Sequence, residues 1–142
     1  SQYEMKGVPV RLEIGPRDIE SGNCVLVSRV SREKNFVEID GVENEVQKML
    51  SFVHDELVAR AKKNLEEKTH IATTYEQFLE TAENKPGFIK AMWCGEEECE
   101  DKVKELTGVG SRCIPFNQEN IADTCICCGK PAKYMVYWGK AY

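Results

Sequence analysis

Thr124-Cys125-Ile126-Cys127-Cys128-Gly129-Lys130-Pro131, read with the upstream run Cys94-Gly95-Glu96-Glu97-Glu98-Cys99, decides how the second half of this chain folds. Two short-spaced thiol pairs from separate parts of a sequence are what a tetrahedral four-cysteine zinc site requires. Each pair supplies adjacent corners, and the ion joins segments that would otherwise cohere poorly. Gly129 follows the second pair, where a knuckle must turn back through positive φ. Cys94, Cys99, Cys125 and Cys128 are therefore the expected ligands of a structural zinc ion. Cys127 stays open as the alternative fourth ligand through a C-x-C arrangement.

Seven cysteines make an odd number, and no secretory segment precedes them, so metal is favoured over a disulfide framework. A thioredoxin-like reading of Cys125-x₂-Cys128 fails on context, since such a motif should open a helix after a strand and Gly129 and Pro131 make a turn here. Cys24 and Cys113 sit in the apolar runs Cys24-Val25-Leu26-Val27 and Cys113-Ile114-Pro115-Phe116, where thiols pack as small hydrophobes, and both are expected in the core. No apolar run reaches membrane-spanning length. The formal net charge of −5 over 142 residues excludes a protein that coats polyanions through a general basic field. DNA and membrane are accordingly not expected partners, and composition fits a cytoplasmic chain.

Working outward, Val8-Pro9-Val10-Arg11-Leu12-Glu13-Ile14 alternates with period two. Val8, Val10, Leu12 and Ile14 share one face and Arg11 and Glu13 the other, the pattern of a half-buried strand with a charged display face. Gly15-Pro16 breaks it, and residues 18–23 read as a polar loop. Cys24 to Val30 reads as a buried strand and Phe36 to Ile39 as a shorter one closed by Asp40-Gly41. Residues 42–67 form one long amphipathic helix in which Val46, Met49, Leu50, Val53, Leu57 and Ala61 recur at spacings of three and four, a stripe expected to pack in the core. His54 and His70 lack partners at ligand spacing and are expected to be structural or solvated.

In the second half, Thr74 with Gln77 is a capping signature for a helix from Tyr75 to about Glu83. Phe88 to Trp93 is a strand delivering Cys94. The acidic run from Glu96 opens a helix whose dipole it suits, with Gly108 as its stop. Cys113–Phe116 and Tyr134–Trp138 are the remaining expected strands. About seventy residues make a small core, and a metal clip would supply what burial cannot.

At this point the chain resembles a known family. Glu4-Met5-Lys6-Gly7-Val8-Pro9-Val10-Arg11-Leu12-Glu13-Ile14-Gly15-Pro16-Arg17-Asp18 is similar to the anticodon-binding segment of prolyl-tRNA synthetases of the eukaryote- and archaeon-like type, which carry a C-terminal zinc domain. Trp93–Glu100, Arg112-Cys113-Ile114-Pro115-Phe116, Cys128–Tyr134 and the terminal Lys140-Ala141-Tyr142 are similar too, in the right order along the whole chain. The resemblance implies an α/β to α+β architecture. Residues 1–70 would be part of a class IIa anticodon-binding domain, a mixed sheet with a long amphipathic helix, and residues 71–142 a small zinc-stapled α+β domain.

It also implies function. In this family two adjacent anticodon guanines are read by charged side chains around the first motif, and Glu4, Arg11, Arg17, Asp18 and, across a variable turn, Lys34 stand at those positions. Arginine offers a two-pronged donor to guanine O6 and N7, and a carboxylate accepts from guanine N1 and N2 in a splayed loop. The parent enzyme attaches proline to tRNA(Pro) with ATP and Mg, and its motifs for that chemistry are absent here, so an N-terminal catalytic part of the same enzyme is an implied partner, the parent being a homodimer. The segment is expected to begin inside its anticodon domain, leaving a sheet edge that either pairs with a second copy or stays bound to the rest of the enzyme. The Tyr142 carboxylate is implied near the catalytic site. A stand-alone zinc-stabilised RNA- or protein-binding module, and a redox-active thiol protein using Cys125 and Cys128, are the competing readings.

Overall fold

The computed structural model describes residues 2–141 and divides into two compact units, Ser1–Lys63 and Asn64–Tyr142. Tyr142 lies outside the described residues. The first unit runs α1 (Gln2–Met5), β1 (Val10–Glu13), α2 (Pro16–Ser21), β2 (Asn23–Ser28), β3 (Lys34–Glu38) and the start of α3 (Val42–Glu67). Its sheet is antiparallel throughout in the order β1-β2-β3. The central strand β2 is buried on both faces, with Cys24 and Leu26 on one and Val25 and Val27 on the other. Register sets two cross-strand rows on the latter face: Arg11–Val27–Lys34 and Glu13–Val25–Phe36.

Three expectations for this unit are corrected. Residues 16–21 form a helix where a polar loop was expected. Pro16 stands in the first turn, where its missing N–H is no loss, and Asp18 Oδ2, at the third helical position, accepts from the N-cap Gly15 N at 2.8 Å and closes the helix start. The helix stops at Gly22 in the left-handed region. Second, β1 does not bury its apolar face: Val8, Leu12 and Ile14 are exposed while Arg11 and Glu13 are half-buried, because β1 is an edge strand and its charged face is the one clothed by ion pairs. Third, α3 has the expected extent, but of its apolar stripe only Val53 is buried, and Leu50 and Leu57 are exposed. A 26-residue helix is about 39 Å long. Strands of four to six residues span about 13–20 Å, so this sheet can cover only part of it.

The second unit begins with β4 (Thr69–Ile71) and continues with α4 (Tyr75–Asn84), β5 (Phe88–Trp93), α5 (Glu97–Thr107), β6 (Val109–Cys113) and β7 (Tyr134–Lys140). The sheet order is β4-β5-β7-β6; β4 and β5 run parallel around α4 and the other pairs are antiparallel, so mixed pairing belongs to this sheet. Thr74 caps α4 by accepting from Gln77 N at 3.3 Å, whereas Gln77 Oε1 reaches Thr73. Phe78 from α4 stands edge-on to Trp138 from β7, centroids 5.8 Å apart, and Ile89, Ala91, Val103, Val109 and Val136 complete the core around them.

The expected strand over Cys113–Phe116 lies earlier, at Val109–Cys113. Pro115 cannot donate to a ladder, and the pairing of β6 with β7 already shifts register between Ser111 and Cys113. Cys113 thus sits at a strand end and is exposed, not core; Cys24 is 1% exposed. His70 Nε2 lies 3.3 Å from Pro86 O, and neither histidine joins a metal-ligating cluster among the described residues.

The turn into β5 depends on Gly87. Its φ is +117°, and a Cβ there would lie 2.0 Å from Lys68 O, the carbonyl that accepts from Phe88 N. Gly87→Ala is expected to destabilise the second unit by about 2–3 kcal/mol. Urea unfolding followed through Trp93 and Trp138, the chain's two tryptophans, tests this; an unchanged midpoint would mean that the Lys68 backbone yields at no cost.

Candidate metal centre and charged sheet face

Four thiols converge in the second unit. Cys94 follows β5, Cys99 lies in the first turn of α5, and Cys125 and Cys128 come from the long connection between β6 and β7. Their Sγ atoms all lie within 4.8 Å of one another. Cys94 Sγ is 3.7 Å from Cys99 Sγ and 3.8 Å from Cys128 Sγ. Four thiolates about 2.3 Å from one zinc ion at tetrahedral corners would stand about 3.8 Å apart. The donor set and its spacing fit the ion.

The knuckle is built by backbone. Cys125 N donates to Lys130 O at 2.7 Å, Gly129 N to Cys125 O at 3.1 Å, and Gly129 takes φ +69°. Ile126 N donates to Met92 O and Lys133 N to Trp93 O, both at 2.8 Å, tying the knuckle to β5. Cys125 and Cys128 then meet on one side of the turn. Cys127 stands outside the quartet, half-buried and packed with Trp93 against the apolar clusters.

Electrostatics separate the four thiols. Burial pushes the Cys94 and Cys99 thiols up from their ordinary range, whereas the hydrogen bond from the Lys130 backbone N–H pulls exposed Cys128 down to about 7. Buried thiols of this kind stay protonated and inert at neutral pH until a cation replaces their protons.

In the first unit, Arg11 is held by two carboxylates. Its Nη1 lies 3.0 Å from Glu4 Oε1, and its Nε and Nη2 lie 2.9 and 2.8 Å from Glu13 Oε1. Glu13 Oε2 is in turn 3.5 Å from Lys34 Nζ. Glu4, Arg11 and Lys34 thereby form one chain of ion pairs on one sheet face, linked by Glu13, whose carboxyl is held below its usual range chiefly by the Arg11 hydrogen bond. Glu13 was not among the residues that sequence reasoning singled out as readers, although period-two alternation already set it beside Arg11. Arg17 and Asp18 lie apart in sequence on α2: Arg17 is exposed and Asp18 is engaged at the helix start.

With that geometry in place, the likeness to known proteins is informative. Residues 1–49 match the family described as an anticodon-binding domain, and residues 75–142 the one described as the C-terminal part of prolyl-tRNA synthetase. The fold and site are those of an anticodon-binding segment followed by a cysteine-clipped C-terminal domain. The chain belongs to the prolyl-tRNA synthetase family. It is 58% identical over all 142 residues to the proline–tRNA ligase of Clostridium botulinum (strain Okra / Type B1), 56% to that of Clostridium novyi (strain NT), and 53% to proline–tRNA ligase 2 of Bacillus thuringiensis subsp. konkukian (strain 97-27). In each case the match covers 100% of this chain and 30% of the relative.

Thiol labelling reads the centre directly. In chelator-treated but folded protein at neutral pH, a small alkylating reagent should modify exposed Cys113 and Cys128 first and leave Cys94 and Cys99 unmodified until denaturant is added. Peptide mass mapping that found Cys94 and Cys99 reacting as fast as Cys128 would contradict the burial and hydrogen bonding described.

Proposed function

We propose that this chain is the tRNA-recognising, zinc-stapled C-terminal region of a proline–tRNA ligase. The complete enzyme attaches proline to tRNA(Pro) with ATP and magnesium in the cytoplasm, works as a homodimer, and carries its catalytic residues in a part outside these 142 residues. Residues 1–70 serve anticodon binding and residues 71–142 form the zinc domain. The observation that carries this reading is Arg11, held on a solvent-facing sheet surface between Glu4 and Glu13, inside the segment that matches anticodon-binding domains. No described helix is long and apolar enough to cross a membrane.

The recognition chemistry follows from the side chains. Arg11 presents a planar fork to guanine O6 and N7, Glu4 offers a carboxylate to the guanine Watson–Crick edge, and Lys34 and Arg17 supply positive charge beside the loop's phosphates. Asp18 contributes by fixing the start of α2 beneath Arg17 in sequence, through its bond to Gly15 N. These residues bind and select; none is asked to perform bond chemistry.

Cys94, Cys99, Cys125 and Cys128 are the proposed ligands, with Cys127 left as a packing residue. The ion would neutralise four thiolates at the junction of β5, α5 and the knuckle, and with four protein ligands it has no open position for a catalytic water. Its role is structural.

Two outcomes are expected. Arg11→Ala should weaken binding of a guanine-containing anticodon hairpin by about 1–3 kcal/mol and flatten discrimination against hairpins with the guanines replaced. Equal affinity of the unsubstituted protein for both hairpins would instead favour a stand-alone binding module. For the metal, each zinc taken up should displace protons, since Cys94 and Cys99 are raised by burial, so zinc affinity should rise from about pH 6 to about pH 8. Competition against a chromophoric chelator measures it, and a pH-independent affinity would exclude thiolate ligation.

A further inference from the structure

Phe36 is 76% exposed in the middle of β3, an unusual place for a large aromatic side chain on an ordered strand. Its surroundings say what it faces. Register pairs Phe36 with Val25 and Val25 with Glu13, while the adjoining row pairs Lys34 with Val27 and Val27 with Arg11. Directly paired residues share a face, and residues two apart on one strand share it too. Phe36 therefore stands on the same sheet face as Arg11, Glu13 and Lys34, and its neighbour Val37 falls on the opposite face.

We infer that Phe36 is the stacking platform of the anticodon-reading face and that its occupant is an unpaired base of the RNA loop. This rests on the reading of the chain as an anticodon binder. A base needs three things from a protein surface: a flat apolar partner for its ring, hydrogen-bonding groups at its edge, and a cation near its phosphate. Phe36 supplies the first. Glu13, two strands away at about 10 Å between backbones, and Arg11 beside it supply the second, their side chains on the same face. Lys34, two residues along β3 and about 7 Å away, supplies the third. Arg11 and Glu13 side chains remain 39% and 38% exposed, so their ion pair is open to an incoming base edge. The charges on this face balance one another, so attraction to RNA here is by fit and not by a net field.

The test uses the protein at full length and an anticodon hairpin with fluorescence anisotropy as readout. The variants are Phe36→Ala, Phe36→Leu and Phe36→Tyr, each checked by circular dichroism and melting temperature. Phe36→Ala and Phe36→Leu should weaken hairpin binding about five- to a hundredfold, with Phe36→Tyr close to the unsubstituted protein. Because stacking tolerates any base, the loss should be similar whichever base occupies the position, and it should vanish against a hairpin made abasic there. If Phe36→Ala fails to fold, the comparison of Leu, which keeps apolar bulk, with Tyr, which keeps the ring, decides alone. Unchanged binding by Phe36→Leu, in a protein that still discriminates guanine, overturns the stacking role and leaves the anticodon reading intact. Loss of guanine discrimination in the unsubstituted protein overturns that reading and this inference with it.

Discussion

The second unit hangs on the junction of four thiols. Its central strand β7 is the last in sequence, and residues 114–133, twenty residues with neither helix nor regular strand, separate it from its neighbour β6. A connection of that length in a domain this small is entropically costly to hold and offers little apolar area in return. Here it is fixed at defined points. Gln118 bonds the backbone of Met135, the knuckle bonds that of Met92 and Trp93, and Cys125 and Cys128 meet Cys94 and Cys99. Joined by the proposed ion, these four side chains, three of them buried, would do for this loop what a layer of hydrophobic residues does in a larger domain.

The same junction ties the apolar core to its rim. Ile126, in the knuckle, packs in the cluster of Phe78, Ile89, Val136 and Trp138, while the adjacent Cys125 belongs to the thiol group. Trp93 touches both, donates through Nε1 to Glu96 O, and lies against Tyr134. The core and the thiol cluster are thus one packing problem. Loosening either moves β5, the strand that pairs with β4 on one side and β7 on the other.

How much of this was legible in the sequence depended on whether the deciding contact was local. The extent of α3, the capping Thr74 and the left-handed stops at Gly108 and Gly129 rest on neighbours within a turn, and the letters state them. The cysteine spacing, local in the same way, brought forward the two pairs whose thiols lie together in the structure. The α2 helix escaped because its cap is a bond from Asp18 back to Gly15 N, and Asp in a Gly-Pro context reads equally well as a turn. β6 was displaced because Cys113-Ile114-Pro115-Phe116 looks more strand-like than Val109-Gly110-Ser111-Arg112; pairing with β7 overrides that preference. The unburied stripe of α3 and the linking role of Glu13 depend on what lies opposite in space, which periodicity does not encode.

That linking role bears on selectivity. In the free chain Arg11 already spends its donors on Glu4 and Glu13, and Glu13 spends its second oxygen on Lys34. On the proposed anticodon reading, a base that enters exchanges those bonds for its own. Exchange of one charge-assisted hydrogen bond for another is near neutral, so a matching base edge loses little. A base that presents a donor to Arg11 or an acceptor to Glu13 breaks the ion pair and returns nothing, leaving both charges partly desolvated and unpaired. The pairing also holds the Arg11 fork in one orientation before any ligand arrives, which reduces the entropy lost on binding. An unpaired arginine at the same place would bind RNA more readily and read it less well. On the proposed anticodon reading, the ion-pair chain is therefore better understood as a device for discrimination than as a contribution to the stability of the sheet, where half-exposed ion pairs count for little.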